Sequence, residues 1–325
     1  MTKRALYPLL FDPIYQYRLW GGRRFASLLA APLPDGPVGE AWILSDRDDH
    51  ASRVSNGPLK GHTIRQLMQQ FPQELMGTAI APFHRFPLLL KFLDAQQMLS
   101  VQVHPSTGET AKTEAWVVLE SGIESRIYAG LKSGTTKESL RVAVRGSDIE
   151  SNLVSFHPKC GDAVLISAGT VHSLGDDLVV FEVQQNSDVT FRLYDWNHLD
   201  ARTGEPRPLQ VDQALASINY GQGEIGPVTP VVHSESPLKC ETLFRCQPFS
   251  VWRIECSLPF QVGAVNIPRV VVCIGGAGQL EDGSCSYPMR KGDVALLPAS
   301  VGSCAFSPLD CVSLLEIALP EAKAA

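Results

Sequence analysis

At 325 residues, 44% apolar and 19% charged, the chain is long enough for about two domains with sizeable cores and lacks the composition of a disordered protein. Its 28 basic and 34 acidic residues leave a net charge of −6, which argues against a general binder of nucleic-acid backbones but leaves room for a small phosphorylated ligand held by a few local cations. No apolar stretch approaches the roughly 20 residues that span a bilayer, and the basic start Met1-Thr2-Lys3-Arg4, followed by a short apolar run broken at Pro8, does not read as a secretory signal, so a cytoplasmic protein without membrane or nucleic-acid partners is expected.

Up to about residue 60 the chain reads as short strands broken by turns at Trp20-Gly21-Gly22 and Asn56-Gly57-Pro58. Ile64, Leu67, Met68, Phe71 and Leu75 then recur at helical spacing. Thr63 can cap that helix, Gly77 can end it, and Pro72 is expected to kink or split it. Strands are expected at Pro87–Leu93 and Leu99–His104. In the second, alternation sends Ser100, Gln102 and His104 to one face and Leu99, Val101 and Val103 to the other. Buried without partners, such polar groups would cost about 1–3 kcal/mol each. A hard-to-borderline metal ion would partner them, and Glu114 and His172 offer two more ligands. Taken singly, each residue also has an ordinary reading: His104 and His172 as satisfied histidines, Glu114 as the ion-pair partner of Lys112.

Glu114–Leu119 and Ser125–Ala129 read as strands, Lys137–Leu153 as a helical insert, and Asp162–Ser167, Leu178–Gln184 and Thr190–Trp196 as strands again. Thr190, Arg192 and Tyr194 share one face of the last. Glu182 lies between Phe181 and Val183, where desolvation would raise its pKa. Its ordinary reading is an ion-pair partner of Arg192 or Lys91. Lys91, inside an apolar run, needs a substrate or a carboxylate for the same reason, with Glu114 and Glu182 in reach. Val211–Ile218 reads as a helix and residues 229–237 as a linker. Phe249–Cys256, Arg269–Ile274, Ala295–Pro298 and Val312–Ala318 read as further strands. Short strands with Gly/Pro turns indicate barrels or sandwiches. The eight cysteines contain no Cys-x-x-Cys pair and read as small buried apolar residues. His50, His62, His84, His157, His198 and His233 read as structural histidines.

One internal echo stands out. Gly161-Asp162-Ala163-Val164-Leu165-Ile166, running on to His172, parallels Gly292-Asp293-Val294-Ala295-Leu296-Leu297, running on to Ser303. Each copy opens with a Gly-Asp turn and continues as an apolar strand. A repeated β unit with one metal-competent copy and one silent copy fits this pattern.

The spacing Gly-x5-[Pro/Ser]-x-Gly-x2-His at Gly161 to His172 resembles a motif of the cupin superfamily. Gln102-Val103-His104 stands where that superfamily usually has His-x-His, and Lys112-Thr113-Glu114-Ala115-Trp116 supplies the carboxylate. With Trp20-Gly21-Gly22, Gly39-Glu40-Ala41-Trp42, Leu89-Leu90-Lys91-Phe92-Leu93-Asp94-Ala95 and Thr190-Phe191-Arg192-Leu193-Tyr194-Asp195-Trp196, the chain resembles the type I phosphomannose isomerases of the short bacterial kind.

The resemblance implies a mainly β bicupin, two jelly-roll-like β-barrels with helical insertions. Residues 1–230 would form the catalytic cupin domain and residues 231–325 a metal-free cupin-like β domain. It implies one zinc ion (Zn2+) per chain held by Gln102, His104, Glu114 and His172, acting as a Lewis acid. The implied reaction is the interconversion of mannose 6-phosphate and fructose 6-phosphate through an enediol(ate). Arg192 would supply fixed positive charge, Glu182 would move the proton, and Ser100, Lys112 and Lys91 would bind substrate. The implied partner is a small sugar phosphate, and the chain a monomer or weak homodimer. The alternatives are a non-catalytic sugar-binding or regulatory cupin, which needs neither Arg192 nor Glu182, and another metal-dependent cupin enzyme such as an iron dioxygenase, whose ligand set is richer in histidine.

Overall fold

The two longest apolar runs, Leu88–Ala95 and Leu178–Gln185, pair antiparallel along their whole length in the middle of a six-stranded sheet. Strands buried on both faces have no side to offer water, so their sequences run apolar without alternating. In this computed structural model residues 6–79, 84–283 and 285–319 are described, and the basic start Met1–Arg4 lies outside them. Across the sheet the order is Ala163–Ile166, Glu114–Ser121, Leu178–Gln185, Leu88–Ala95, Glu40–Leu44 and Ile14–Gln16.

One face of this sheet packs on a five-stranded sheet ordered Leu153–Phe156, Ile127–Leu131, His172–Leu174, Val101–Val103 and Phe191–Tyr194. Trp20, Leu93, Trp116, Val118, Ile127 and Leu174 fill the space between them. Its other face, with Leu90, Phe92, Val117 and Phe181, packs on Val251, Val270, Val272 and Ile317 of a seven-stranded sheet. A four-stranded sheet covers the far side of the seven-stranded one through Ile254, Val271, Leu280 and Phe306. Helices Lys137–Gly146 and Val211–Ser217 close the outer face of the five-stranded sheet over Val101, Val103 and Leu131. Each fully buried Val, Leu or Phe in these layers is worth roughly 1.5–3 kcal/mol. Among the described residues every sheet is open at both ends.

The echoed segments are built alike. Asp162 Oδ2 accepts from Lys159 N at 2.8 Å, and Asp293 Oδ2 accepts from Arg290 N at 2.8 Å. Gly161 and Gly292 both take the left-handed backbone, at φ 89° and 99°, that such a turn needs. The following strands, Ala163–Ile166 and Val294–Leu297, each pair antiparallel with a central strand. The short N-terminal strand Leu9–Leu10 joins the seven-stranded sheet by pairing with Val294–Leu297.

Several sequence expectations change in detail. The helix over 63–77 is split at Pro72, as expected. Thr63 and Gln66 form a reciprocal capping box on Ile64–Gln70, and Pro72 opens the second helix, Pro72–Met76. The helical insert ends earlier than Leu153, because Ser147 turns left-handed at φ 57°, and Leu153 begins a strand. The linker 229–237 contains an edge strand, Val231–Ser234. Of the cysteines only Cys256, Cys273 and Cys304 are buried; Cys160, Cys285 and Cys311 are exposed, and all eight are free.

Candidate active site

Gln102 sits mid-strand between two neighbours, opposite His172 on one side and Arg192 on the other. That register places the three side chains in one row across the five-stranded sheet. His104 directly follows the same strand, which ends at Val103, and Glu114 opens a strand of the facing sheet. The side chains meet between the sheets. Glu114 Oε2 lies 3.2 Å from His104 Nε2, Glu114 Oε1 lies 3.3 Å from His172 Nε2, and Gln102 Nε2 lies 3.1 Å from His172 Nε2.

Both imidazoles are fixed from behind. His104 Nδ1 faces Val189 O and His172 Nδ1 faces Thr170 O, each at 2.9 Å. Donating Nδ1–H to a carbonyl leaves the Nε2 lone pair pointing at the cluster, the tautomer a metal requires. His104 Nε2 and both Glu114 oxygens are buried without a hydrogen bond. A buried acceptor left so costs about 1–3 kcal/mol, and a divalent cation is the group that would satisfy all of them at once. The ligand atoms of His104, Glu114 and His172 lie within 4.8 Å of one another, and no other such group occurs among the described residues. Gln102 Oε1 accepts from Ser100 Oγ at 3.2 Å. A half-turn of the amide exchanges its two ends and presents the carbonyl oxygen beside His172.

Electrostatics agree. Burial and the nearby Lys112 charge press the His104 pKa down to about 4, and burial lowers that of His172, so both rings favour the neutral form that a metal would need. Burial pushes the Glu114 carboxyl up, but Lys112, 2.8 Å away, and the two imidazoles once they protonate in acid together outweigh it and hold the group well below the usual carboxylate range.

A row of alternating charge extends from this cluster. Lys112 Nζ lies 4.0 Å from Glu182 Oε1, which is 3.2 Å from Lys91 Nζ. Lys91 Nζ is 3.6 Å from Glu40 Oε2, and Arg18 Nε donates to Glu40 Oε1 at 2.8 Å. The register builds this row, since Lys91 is directly opposite Glu182, and Glu182 is opposite Trp116, whose Nε1 donates to Glu182 Oε2 at 2.9 Å. Burial and the Glu114 charge raise the Glu182 pKa above its ordinary value despite Lys91 and Lys112. Glu182 and Lys91 are thus the ion pair the sequence left open, and Glu182 is also a carboxyl with raised proton affinity.

A cavity of about 430 Å³ opens above the row. Ser100, Gln102, Lys91, Lys112, Glu182 and Arg192 all reach its wall, so every expected catalytic and substrate-binding residue lines it. Arg192 Nε donates to Ser100 Oγ at 3.2 Å and its Nη1 to Pro208 O at 3.2 Å. Two expectations about strand faces fail. Tyr194 does not share the cavity face with Thr190 and Arg192, because a register shift between Arg192 and Tyr194 turns it into the outer cluster with Val101 and Val103. Leu99 precedes the regular strand and packs between the sheets with Trp20 and Leu93, not with Val101.

Sequence reasoning did not find Tyr17, Arg18, Glu40, Asp188, Asp200 and Arg207 on the cavity wall. Arg18 and Glu40 adjoin segments already singled out, at Trp20-Gly21-Gly22 and Gly39-Glu40-Ala41-Trp42, which was the available signal. Arg207 had none. It comes from a loop and pairs through Nε with Asp195 Oδ2 at 2.8 Å.

The family model for the type I phosphomannose isomerase catalytic domain matches residues 9–120. The chain is 34% identical over 305 residues to mannose-6-phosphate isomerase ManA of Bacillus subtilis, covering 91% of this chain and 94% of that protein. It is 32% identical over 308 residues to the mannose-6-phosphate isomerase of Streptococcus mutans, covering 92% and 95%. The crystal structure of a mannose 6-phosphate isomerase from Bacillus subtilis superposes with a TM-score of 0.86 at 27% identity, covering 95% of this chain and 99% of that one. A phosphomannose isomerase from Salmonella typhimurium shares the fold, with a TM-score of 0.75 at 14% identity.

Proposed function

The chain belongs to the type I phosphomannose isomerases and interconverts mannose 6-phosphate and fructose 6-phosphate, and we propose that it does so with one zinc ion held by Gln102, His104, Glu114 and His172. The observation that carries the metal reading is the buried trio of His104, Glu114 and His172, in which His104 Nε2 and Glu114 Oε1 have no hydrogen-bond donor among the described residues and Glu114 Oε2 has only the Lys112 ion pair. Imidazole nitrogen with carboxylate and amide oxygen suits zinc, and the ligand set carries a single negative charge. When bound, the ion supplies Lewis-acid polarisation of the sugar oxygens.

The rest is protein chemistry. Isomerisation takes a proton from C2 of the aldose and returns it at C1, with negative charge gathering on oxygen between the two steps. Glu182 is the proton carrier in this reading. Trp116 holds its Oε2, which leaves Oε1, free of any hydrogen bond, to exchange the proton. Lys91 keeps that oxygen oriented, and Lys112 places a positive charge between Glu182 and Glu114. Arg192, steadied by Ser100, adds fixed positive charge on the opposite wall. Lys91 and Lys112 contact the substrate from the Glu182 side of the cavity and Ser100 from the Arg192 side.

The paired five- and six-stranded sheets and the paired seven- and four-stranded sheets we read as two cupin units. The matching Gly-Asp turns support this. The first unit, within residues 1–230, carries the site, and the second, at 231–325, is structural. A cytoplasmic location accords with this reading, and no helix among the described residues is long and apolar enough to cross a membrane.

The test is a coupled assay, mannose 6-phosphate in and fructose 6-phosphate out, before and after chelation. Activity should vanish with the metal, return with stoichiometric zinc, and be accompanied by a rise in Tm on reloading. Full activity in a metal-free preparation would remove the ion from the mechanism.

A further inference from the structure

Three guanidinium groups converge at the cavity mouth: Arg18, Arg192 and Arg207. Two are committed along one edge. Arg18 spends Nε and Nη2 on Glu40 and Nη1 on Tyr17 O. Arg207 spends Nε and Nη2 on Asp195, which is nearly buried and directly follows the strand carrying Arg192. Arg192 spends Nε on Ser100 and Nη1 on Pro208 O, and no carboxylate lies within ion-pair distance of it among the described residues. Arg207 Nη1 and Arg192 Nη2 are therefore left without a protein acceptor among the described residues.

Asp188 and Asp200 are acidic residues of the same wall; Asp188 acts on Arg18 through its charge, and neither is within ion-pair distance of Arg192 or Arg207 among the described residues. Asp200 accepts from Tyr17 Oη at 2.8 Å and from Arg202 N at 2.9 Å. Arg18 and Arg207 each have a carboxylate partner, so Arg192 is the guanidinium of the three whose charge no neighbouring carboxylate offsets at ion-pair distance among the described residues, and an anion would supply that partner. The pKa of Arg192 is lowered by burial and then by the Arg207 charge. A guanidinium whose outer edge is pinned by a carboxylate presents its remaining donors in a fixed direction, which suits a phosphoryl group.

We propose that Arg207 is the phosphate-specificity residue of this enzyme, completing with Arg192 and Arg18 the corner that takes the substrate's phosphoryl group, and that Asp195 acts through Arg207 as a positioning residue. The proposal rests on the isomerase reading, because it places the phosphoryl end of the substrate at the mouth and the reacting carbons at the Glu182 end of one cavity. It adds a donor from the loop after the Arg192 strand, where the segment Asp195-Trp196-Asn197-His198 offers no cation of its own.

The experiment compares the zinc-loaded wild type with Arg207→Gln and Arg207→Lys. Three quantities are measured: steady-state kinetics with mannose 6-phosphate, inhibition by inorganic phosphate, and inhibition by mannitol, which has no phosphate. Arg207→Gln should raise KM for mannose 6-phosphate and the inhibition constant of inorganic phosphate by roughly ten- to a hundredfold, the worth of a charged hydrogen bond. It should leave kcat within about threefold, since this interaction is made equally in the ground and transition states. Mannitol inhibition should not move. Arg207→Lys should fall between, because an ammonium cannot serve Asp195 and the phosphate in the same fork geometry; it also serves as the test if the Gln variant fails to fold. An unchanged inhibition constant for inorganic phosphate, or an equal rise for mannitol, overturns the proposal. Calorimetric titration of inorganic phosphate into the same proteins separates the two readings. Arg207-dependent phosphate binding in a wild type that does not isomerise sinks only the isomerase reading. Normal isomerisation with unaltered phosphate affinity in the variants sinks only this one.

Discussion

Glu182 is an ion-pair partner in this structure and the proposed proton carrier, and a double-mutant cycle with Lys91 separates the two roles. Glu182 Oε1 lies 3.2 Å from Lys91 Nζ, and the two residues are 2% and 4% exposed. Glu182→Gln keeps the volume and an acceptor for Trp116 but leaves Lys91 with Glu40 alone, at 3.6 Å. Removing one partner of a buried pair costs about 3–5 kcal/mol, whereas replacing both by neutral groups of similar size is often close to neutral. Glu182→Gln alone should therefore lower stability by up to that amount, and the added Lys91→Met should restore much of it. Activity behaves differently if Glu182 carries the proton. Loss of a general base costs roughly 10²–10⁴-fold in kcat, and that loss should be the same in the Lys and Met backgrounds. The cycle is read by urea denaturation and by the coupled isomerase assay on the four zinc-loaded proteins. Activity that recovers together with stability in the double variant would refute the proton-carrier role and leave Glu182 as scaffold.

The metal-free protein should lose stability in acid. His104 is held at about 4 in the fold against an ordinary 6.5, by burial first and then by Lys112. A depressed folded-state pKa contributes stability that is complete above 6.5 and lost as pH falls to about 4, here about 3 kcal/mol. Glu114, also depressed, adds a further loss below 4.5, while Glu182, raised, works in the opposite direction, favouring the fold in acid and less so as pH rises past 4.5. The urea midpoint of the chelated protein should fall between pH 6.5 and 4, and His104→Asn should flatten that slope; a midpoint indifferent to pH in the wild type contradicts the assignment. A second test concerns backbone approach. A Cβ at Gly39 would lie 2.6 Å from Arg18 Cβ and 2.6 Å from the Trp20 ring. Gly39→Ala should cost about 1–3 kcal/mol by overpacking, and because Arg18 and Trp20 both line the cavity it should raise KM as well, measured by thermal unfolding and steady-state kinetics.

Part of the candidate metal site was legible because strand alternation is a local property. Ser100, Gln102 and His104 needed only a period of two, whereas Glu114 and His172 were joined to them as one ligand set by the resemblance. The residues that escaped are those whose meaning lies in long-range pairing. Arg18 and Glu40 come together only when Ile14–Gln16 pairs with Glu40–Leu44. Arg207 is defined by its contact with Asp195 across a loop without regular structure. Tyr194 was misassigned because a bulge shifts the period partway along its strand, and no residue at that point announces it. The strands Phe260–Gly263, Ala277–Asp282, Cys285–Arg290 and Ser303–Pro308 were missed because one face of the four-stranded sheet is open to water, so their sequences are short, polar and interrupted by Gly and Pro.

The electrostatic layout also explains how a chain with a net charge of −6 can take a phosphorylated substrate. Burying one unpaired lysine or carboxylate costs several kcal/mol, so a polar floor beneath a cavity is tolerable only if each charge has a neighbour of opposite sign. The row Arg18, Glu40, Lys91, Glu182, Lys112 and Glu114 meets that condition by alternating along the sheet. Three cations and three carboxylates cancel, so the floor alone has no preference for an anion. A divalent ion beside Glu114 would add two positive charges at one end. Arg192, with no carboxylate paired to it among the described residues, adds one on the cavity wall that it shares with the pinned guanidinium of Arg207. Attraction for a sugar phosphate then comes from these two positions and not from the molecule's overall field, because contributions from distant surface carboxylates are screened within about 8–10 Å at ordinary ionic strength. The affinity for substrate should accordingly depend far more on the metal and on the two arginines than on any charge reversal on the outer surface.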